Sequence, residues 1–315
     1  MSQIIVAVDF SKKSLNAANY AADMAVSLRK DITLTHVMEI PVTPFQVPIT
    51  ELEFSEIETA IKEELEDLRQ KLLLRTKNKI NINKELRYGL IDQELEKMSE
   101  ETKPFAIVMG VAGGEKKLRF FLGSNTLRMI PDALYPLLII PENAVFNQIK
   151  KITIASDLSE KYSSNSFDFI KKWLRIFTAH CDIVYVHSEQ KMPAEFIPET
   201  TTLREKFAEF NPEFHFINSA NTDTGILDFI EEKKPDLLVV LPEKHGRLAF
   251  LFHTSISRKL VLHAHLPILC VAAHNMAIDL ISDQSEYKQH DCLVCNGACK
   301  KESISISKKV IDESH

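Results

Sequence analysis

Four short apolar runs in the first half of this 315-residue chain recur, in the same order, in its second half. Lys151–Ser159 repeats the pattern of Ile4–Ser11 with its Asp-x-Ser ending, and Asp182–His187 closely matches Asp31–His36. Pro235–Leu241 corresponds to Pro104–Gly110, and Pro267–Val271 to Pro136–Ile140. A self-similar chain of this length is read as a tandem duplication, and here the unit itself alternates strand with helix. That alternation predicts parallel sheets buried on both faces. The expected fold class is α/β, with two tandem five-stranded parallel open-sheet domains carrying helices on both faces. The expected domains are residues 1–142 and 150–273, joined near Pro141–Lys150 and followed by a polar tail, 274–315. The second copy is the shorter, most of the loss falling between its second and third strands.

Within the first half, Ile4–Asp9 reads as a strand, and Ser11–Ser14 opens a helix whose Ala18, Ala21, Ala22, Ala25 and Leu28 make one apolar stripe. Asp31–Val37 is a second strand. A proline-punctuated excursion, Pro41 to Pro48, leads to a long charged helix from Glu51 to about Arg75, with Leu65, Leu68 and Leu72 on its buried face. Ile82–Arg87 is a third strand, Gly89 a turn, and Asp92–Thr102 a short helix. A fourth strand ends at Gly110, and Pro136–Ile140 is the fifth.

The chain holds eight glycines, and four of them (Gly110, Gly113, Gly114 and Gly123) fall between Gly110 and Ser124. The apolar run Phe105–Met109 precedes this stretch, and Ser124 is placed to cap a helix beginning at Asn125. A strand, a glycine-rich turn and a helix N-terminus together present backbone N–H groups to an anion, most often a phosphate. The second copy lacks this equipment. Leu241 stands for Gly110, Lys244 for Gly113 and Thr254 for Gly123, with Ser255 at the place of Ser124, and Pro242 removes a donor. A side chain at those positions blocks close approach of backbone to a phosphate. Only the first half is expected to bind nucleotide.

The motif Gly110-x2-Gly113-x9-Gly123-Ser124, with Asp9 and Ser11 after the first strand and a Pro136-led fifth strand, resembles the ATP-binding signature of the universal stress protein family. The likeness covers about residues 1–273. It implies a Rossmann-like sheet of the adenine-nucleotide-binding type and a set of ligand contacts at Asp9, Val37, Met109, Gly110, Gly113, Gly123, Ser124 and Asn125. Asp9 would lie near the adenosine moiety and Val37 against adenine. Gly110 and Gly113 would admit ribose and phosphates, and Gly123, Ser124 and Asn125 would hold the phosphate tail. The implied cofactor is ATP with Mg. One departure is Val111-Ala112, apolar where the family often carries polar side chains. The family also pairs subunits through fifth-strand edges, so Pro136–Ile140 and Pro267–Val271 are expected to pair within this chain, with a homodimer of two chains left open. Covering an exposed edge is physically sensible in any case.

Composition narrows the partners. With 45% hydrophobic and 26% charged residues and a net charge of −6, the chain reads as an ordinary globular protein without the basic patch that nucleic acid or an anionic membrane would demand. No apolar stretch reaches transmembrane length and the N-terminus carries no leader pattern, so a cytoplasmic location is expected. Cys181 and Cys270 read as core residues. The tail gathers His290, Cys292, Cys295 and Cys299, a set that could complete a tetrahedral zinc site or form a redox-active or disordered segment. His36 and His187 end equivalent strands, and the histidines at 245, 253, 263, 265 and 274 show no metal-binding spacing. Three function classes remain. The first is an ATP-binding, nucleotide-dependent regulator of the stress response, the second a nucleotide-free interaction scaffold, and the third a slow ATP hydrolase. The sequence carries neither a Gly-Lys-Ser/Thr phosphate loop nor a pyrophosphatase loop, and no general base is evident beside the phosphates.

Overall fold

The protein was analysed as a computed structural model that describes residues 3–39, 50–111, 135–156, 164–187, 197–241 and 265–271. Its first half runs β1 (Ile4–Ala7), α1 (Lys12–Leu28), β2 (Ile32–Met38), α2 (Glu51–Thr76), β3 (Ile82–Tyr88), α3 (Ile91–Thr102), β4 (Ala106–Val111) and β5 (Leu137–Pro141). The second half runs β6 (Lys151–Ala155), α4 (Ser164–Phe177), β7 (His180–His187), α5 (Ile197–Lys206), β8 (Glu213–Asn218), α6 (Thr222–Lys233), β9 (Leu237–Val240) and β10 (Ile268–Cys270).

The described strands form one ten-stranded sheet in the order β3-β2-β1-β4-β5-β10-β9-β6-β7-β8. Every pairing inside each half is parallel. The halves join where β5 and β10 run antiparallel, with Ile268 opposite Ile139, Leu269 opposite Leu138 and Cys270 opposite Leu137. All five residues of β5 are buried, as are all four of β1 and of β9. Two-faced burial is why these strands read as continuous apolar runs instead of alternating ones.

Helix α1 carries Ala17, Ala18, Ala21, Ala22 and Ala25 on its buried side, small residues that let it lie close over β4 and β5. Helix α2 packs beside it and against β2 and β3. A capping box between Thr50 and Glu53 fixes where α2 begins, and Leu65, Leu68 and Leu72 are its buried positions. Helix α3 lies on β2, the Thr35 hydroxyl donating to Met98 Sδ at 3.3 Å. The segment between the halves is pinned to α1. Asn16 Nδ2 donates to Pro141 O at 3.0 Å and Ala144 O at 2.9 Å, and Phe146 meets Tyr20 edge-on at 5.2 Å.

Cys181 and Cys270 are buried and free. Burial, and after it the Asp182 charge, pushes the Cys181 thiol up to about 12, while burial alone raises that of Cys270. Neither offers a reactive thiolate at neutral pH. No helix among the described residues is long and apolar enough to cross a membrane.

Candidate functional site at the strand ends of the first half

In the order β3-β2-β1-β4-β5 the chain leaves β1 toward β2 on one side and reaches β4 on the other. Open parallel sheets bind ligands at such a reversal, beyond the strand C-termini. A cleft of about 290 Å³ lies there, lined by Ala7, Val8 and Asp9 from β1 and its exit, His36, Val37, Met38 and Glu39 from β2, Met109 and Gly110 from β4, Lys13 and Ser14 from α1, and Ile91 from α3. Of the residues implied by the family signature, Asp9, Val37, Met109 and Gly110 converge on this one cleft. Gly113, Gly123, Ser124 and Asn125 lie outside the described residues, as do Asp157, the second-copy loop from Pro242 to Ser255, and the tail residues His290, Cys292, Cys295 and Cys299.

The exit of β1 is held by a tight polar knot. Asp9 Oδ1 accepts from the Ser11 amide at 3.1 Å and from the Ser11 hydroxyl, and the Asp9 amide donates to Ser14 Oγ at 3.2 Å. Ser14 Oγ donates in turn to Ser11 O at 3.1 Å. Ser11 also caps α1, its side chain accepting from the Ser14 amide. Lys13 Nζ stands 3.8 Å from Asp9 Oδ2. Partial burial pushes the Asp9 carboxyl up, but the hydrogen bonds from Ser11 and Ser14 and the Lys13 charge outweigh it and leave the group below its ordinary value. Asp9 is therefore a fixed acceptor at neutral pH and a poor proton carrier. Since its folded value is depressed, its contribution to stability is present above the ordinary carboxylate range and is lost as the pH falls through the folded value. A Asp9→Asn chain is accordingly expected to be less stable than the parent at neutral pH, with the gap closing in acid; parallel thermal melts from pH 7 downward measure this.

Phe10, between the knot and the helix, has φ of 57°, a left-handed conformation uncommon outside glycine. Its ring stacks on His36 at 5.1 Å and 19°. His36 Nδ1 lies 2.8 Å from Val8 O, tying the ends of β1 and β2 together. His36 thus has a structural bond and also lines the cleft. In the second half His187 stacks on Tyr185 at 6.0 Å, and no hydrogen-bond partner of its buried Nδ1 is found among the described residues.

Gly110 has a more local reason to be glycine than ligand approach. A Cβ there would sit 2.2 Å from Lys13 O, 2.5 Å from Lys13 C and 2.8 Å from Ser14 N. The end of β4 and the first turn of α1 are in backbone contact. Leu241 occupies the corresponding place in the second half and is buried there. Sequence reasoning missed Ile91, Met38 and Glu39 as cleft residues. Ile91 follows the Gly89 turn, where φ is 139°, but nothing in its own neighbourhood marks it as part of a wall. Met38 and Glu39 simply continue β2 beyond the recognised position, Val37.

The model of the universal stress protein family matches this sequence twice, over residues 1–141 and 149–272. The chain belongs to that family. A universal stress protein of Methanocaldococcus jannaschii is 28% identical over 139 residues, spanning 44% of this chain and 81% of the relative. The solved structure of a universal stress protein from Archaeoglobus fulgidus superposes with a TM-score of 0.66 at 18% identity, covering 87% of this chain and 98% of that one, a likeness of fold. A universal stress protein solved in complex with cAMP is 18% identical and aligns with 44% of this chain and 96% of its own, at a TM-score of 0.33.

Proposed function

We propose that this universal stress protein is an adenine-nucleotide-dependent regulator, in which the first half binds ATP with Mg and the second half serves as its nucleotide-free partner. The observation that carries the reading is the convergence of Asp9, Val37, Met109 and Gly110 on one cleft at the reversal point of the sheet. The cleft fits the nucleoside end of such a ligand. Its walls are largely apolar, from Ala7, Val8, Val37, Met38, Met109 and Ile91, with the anchored Asp9 carboxylate and the Ser14 hydroxyl as convergent polar groups. At about 290 Å³ it suits a base and ribose, leaving the phosphates to the glycine stretch from Gly113 to Asn125. Mg would be carried chiefly by phosphate oxygens.

Binding is favoured over hydrolysis because the carboxylate in the cleft is committed to Ser11 and Lys13 and held below its usual range. The antiparallel β5–β10 junction supports a body in which the second half covers the sheet edge of the first. A cytoplasmic location follows from the same reading.

Thermal melts with Mg-ATP, AMP, cAMP, GTP and no ligand test the proposal. ATP at 100 to 1,000 times its Kd is expected to stabilise the chain by about 2.7–4.1 kcal/mol, and Gly113→Lys, which installs the second copy's own residue, is expected to abolish the shift. An unshifted melt in millimolar Mg-ATP would leave the scaffold reading in its place. Recovery of intact ATP after incubation separates binding from slow hydrolysis.

A further inference from the structure

Where β7 and β8 begin, four side chains of metal-ligating type share one face of the sheet. His180 and Asp182 are two apart on β7, and Glu213 and His215 two apart on β8, with Asp182 opposite Glu213 in register. His180 Nε2 is 3.3 Å from Asp182 Oδ1 and 3.5 Å from Glu213 Oε1. His215 Nε2 is 3.0 Å from the same Asp182 Oδ1 and 3.9 Å from Glu213 Oε2. Ligand atoms of His180, Asp182 and Glu213 lie within 4.8 Å of one another. The Asp182 side chain is only 2% exposed, and its Oδ2 has no hydrogen-bond partner among the described residues.

The first half supplies an internal comparison. Asp31 holds the place of Asp182 but is exposed, and its carboxylate accepts from the Asn81 amide at 2.9 Å and from Asn81 Nδ2 at 3.1 Å. In the matching registers Asn83 stands where the second half has His215. By sequence offset Asn81 and Arg29, the latter capping the end of α1, occupy the places of Glu213 and His180. The duplication has therefore exchanged three poor ligands for two imidazoles and a carboxylate around an aspartate that has become buried. A buried carboxylate with an unsatisfied oxygen is costly unless a cation or further donors compensate it.

We propose that His180, Asp182 and Glu213 bind a divalent transition cation of the zinc class, with His215 as a positioning residue that donates to Asp182. Bonds of about 2.0–2.2 Å at tetrahedral angles place ligand atoms about 3.3–3.6 Å apart, the spacing His180 already has to both carboxylates. One imidazole nitrogen with two carboxylates selects against Mg and Ca, which take oxygen alone. The fourth position faces outward, since His180 is 40% and Glu213 63% exposed. Bound there, the cation clasps β8, the edge strand, to β7.

The test titrates zinc into the full-length chain carrying Cys292→Ser, Cys295→Ser and Cys299→Ser, so that tail thiolates contribute nothing. One equivalent is expected to bind and to raise the melting temperature. Cobalt in the same chain should give visible ligand-field bands without thiolate charge transfer. Adding His180→Ala and Glu213→Gln, both at exposed side chains, should abolish the zinc-dependent shift while leaving the metal-free melt in place. His215→Ala should weaken binding about 10–100-fold. Absence of binding in the thiol-free chain, or binding unmoved by His180→Ala with Glu213→Gln, overturns the proposal and leaves a hydrogen-bonded ionic cluster alone.

Discussion

Gly110→Ala is expected to lower the stability of the ligand-free protein by about 2–3 kcal/mol, the upper part of the range for overpacked sites. The atoms that a Cβ would meet, Lys13 O at 2.2 Å and Lys13 C at 2.5 Å, belong to backbone, so no rotamer change relieves the overlap. Either β4 or the first turn of α1 must move. Moving β4 strains its pairs with both β1 and β5, while moving α1 breaks the Asp9–Ser14 bond and disturbs the cap at Ser11. At about 2–4 °C per kcal/mol for a chain of this size, the melting temperature should fall by about 4–12 °C. The measurement also separates two roles for this glycine. If Gly110 serves ligand approach alone, alanine leaves the ligand-free melt unchanged and weakens only nucleotide binding. If it is required by the contact with α1, the ligand-free melt falls first, and affinity follows because Lys13 and Ser14 are displaced.

That distinction marks the limit of what the sequence could say. The repeat exposed the architecture because buried parallel strands are apolar on both faces and announce themselves as runs, as Ile4–Ala7 and Leu137–Ile140 do. Helix α2 was legible to within a residue at both ends because the proline excursion stops at Pro48 and Leu65, Leu68 and Leu72 supply a period. The four strand-end residues Asp9, Val37, Met109 and Gly110 line the cleft, and they could be named from the sequence only because the family resemblance refers its contacts to strand ends. Their neighbours were not, since a wall such as Ile91 is assembled by the return of α3 across the sheet and leaves no local pattern. The cluster at His180, Asp182, Glu213 and His215 was missed for a related reason. Its members are close only through the parallel register of β7 and β8, and a search for ligand spacing along the chain favours the tail cysteines instead.

The same dependence on tertiary register governs the tie between the two halves. Trp173, the single tryptophan of the chain, is fully buried on α4 and stacks on Phe105, which enters β4 of the other half, at 5.0 Å and 15°. Phe169 and Phe177 flank it at 6.1 and 5.6 Å, and the Lys30 ammonium lies 5.2 Å from the centre of the Phe105 ring. Among the described residues the strand junction offers three residue pairs between β5 and β10, so this aromatic stack is a further clasp. Trp173→Ala is expected to cost about 3–5 kcal/mol, as large-to-small substitutions of buried aromatics do. Trp173→Phe should cost less, because it keeps a ring against Phe105 and removes an indole N–H that has no partner among the described residues. Urea unfolding of Trp173→Ala, Phe105→Ala and the double variant, followed by circular dichroism, measures the coupling. A stacked pair should leave an interaction of about 0.5–1.5 kcal/mol in that cycle. Strict additivity would mean that each ring packs into its own half and that β5 and β10 hold the halves together without it.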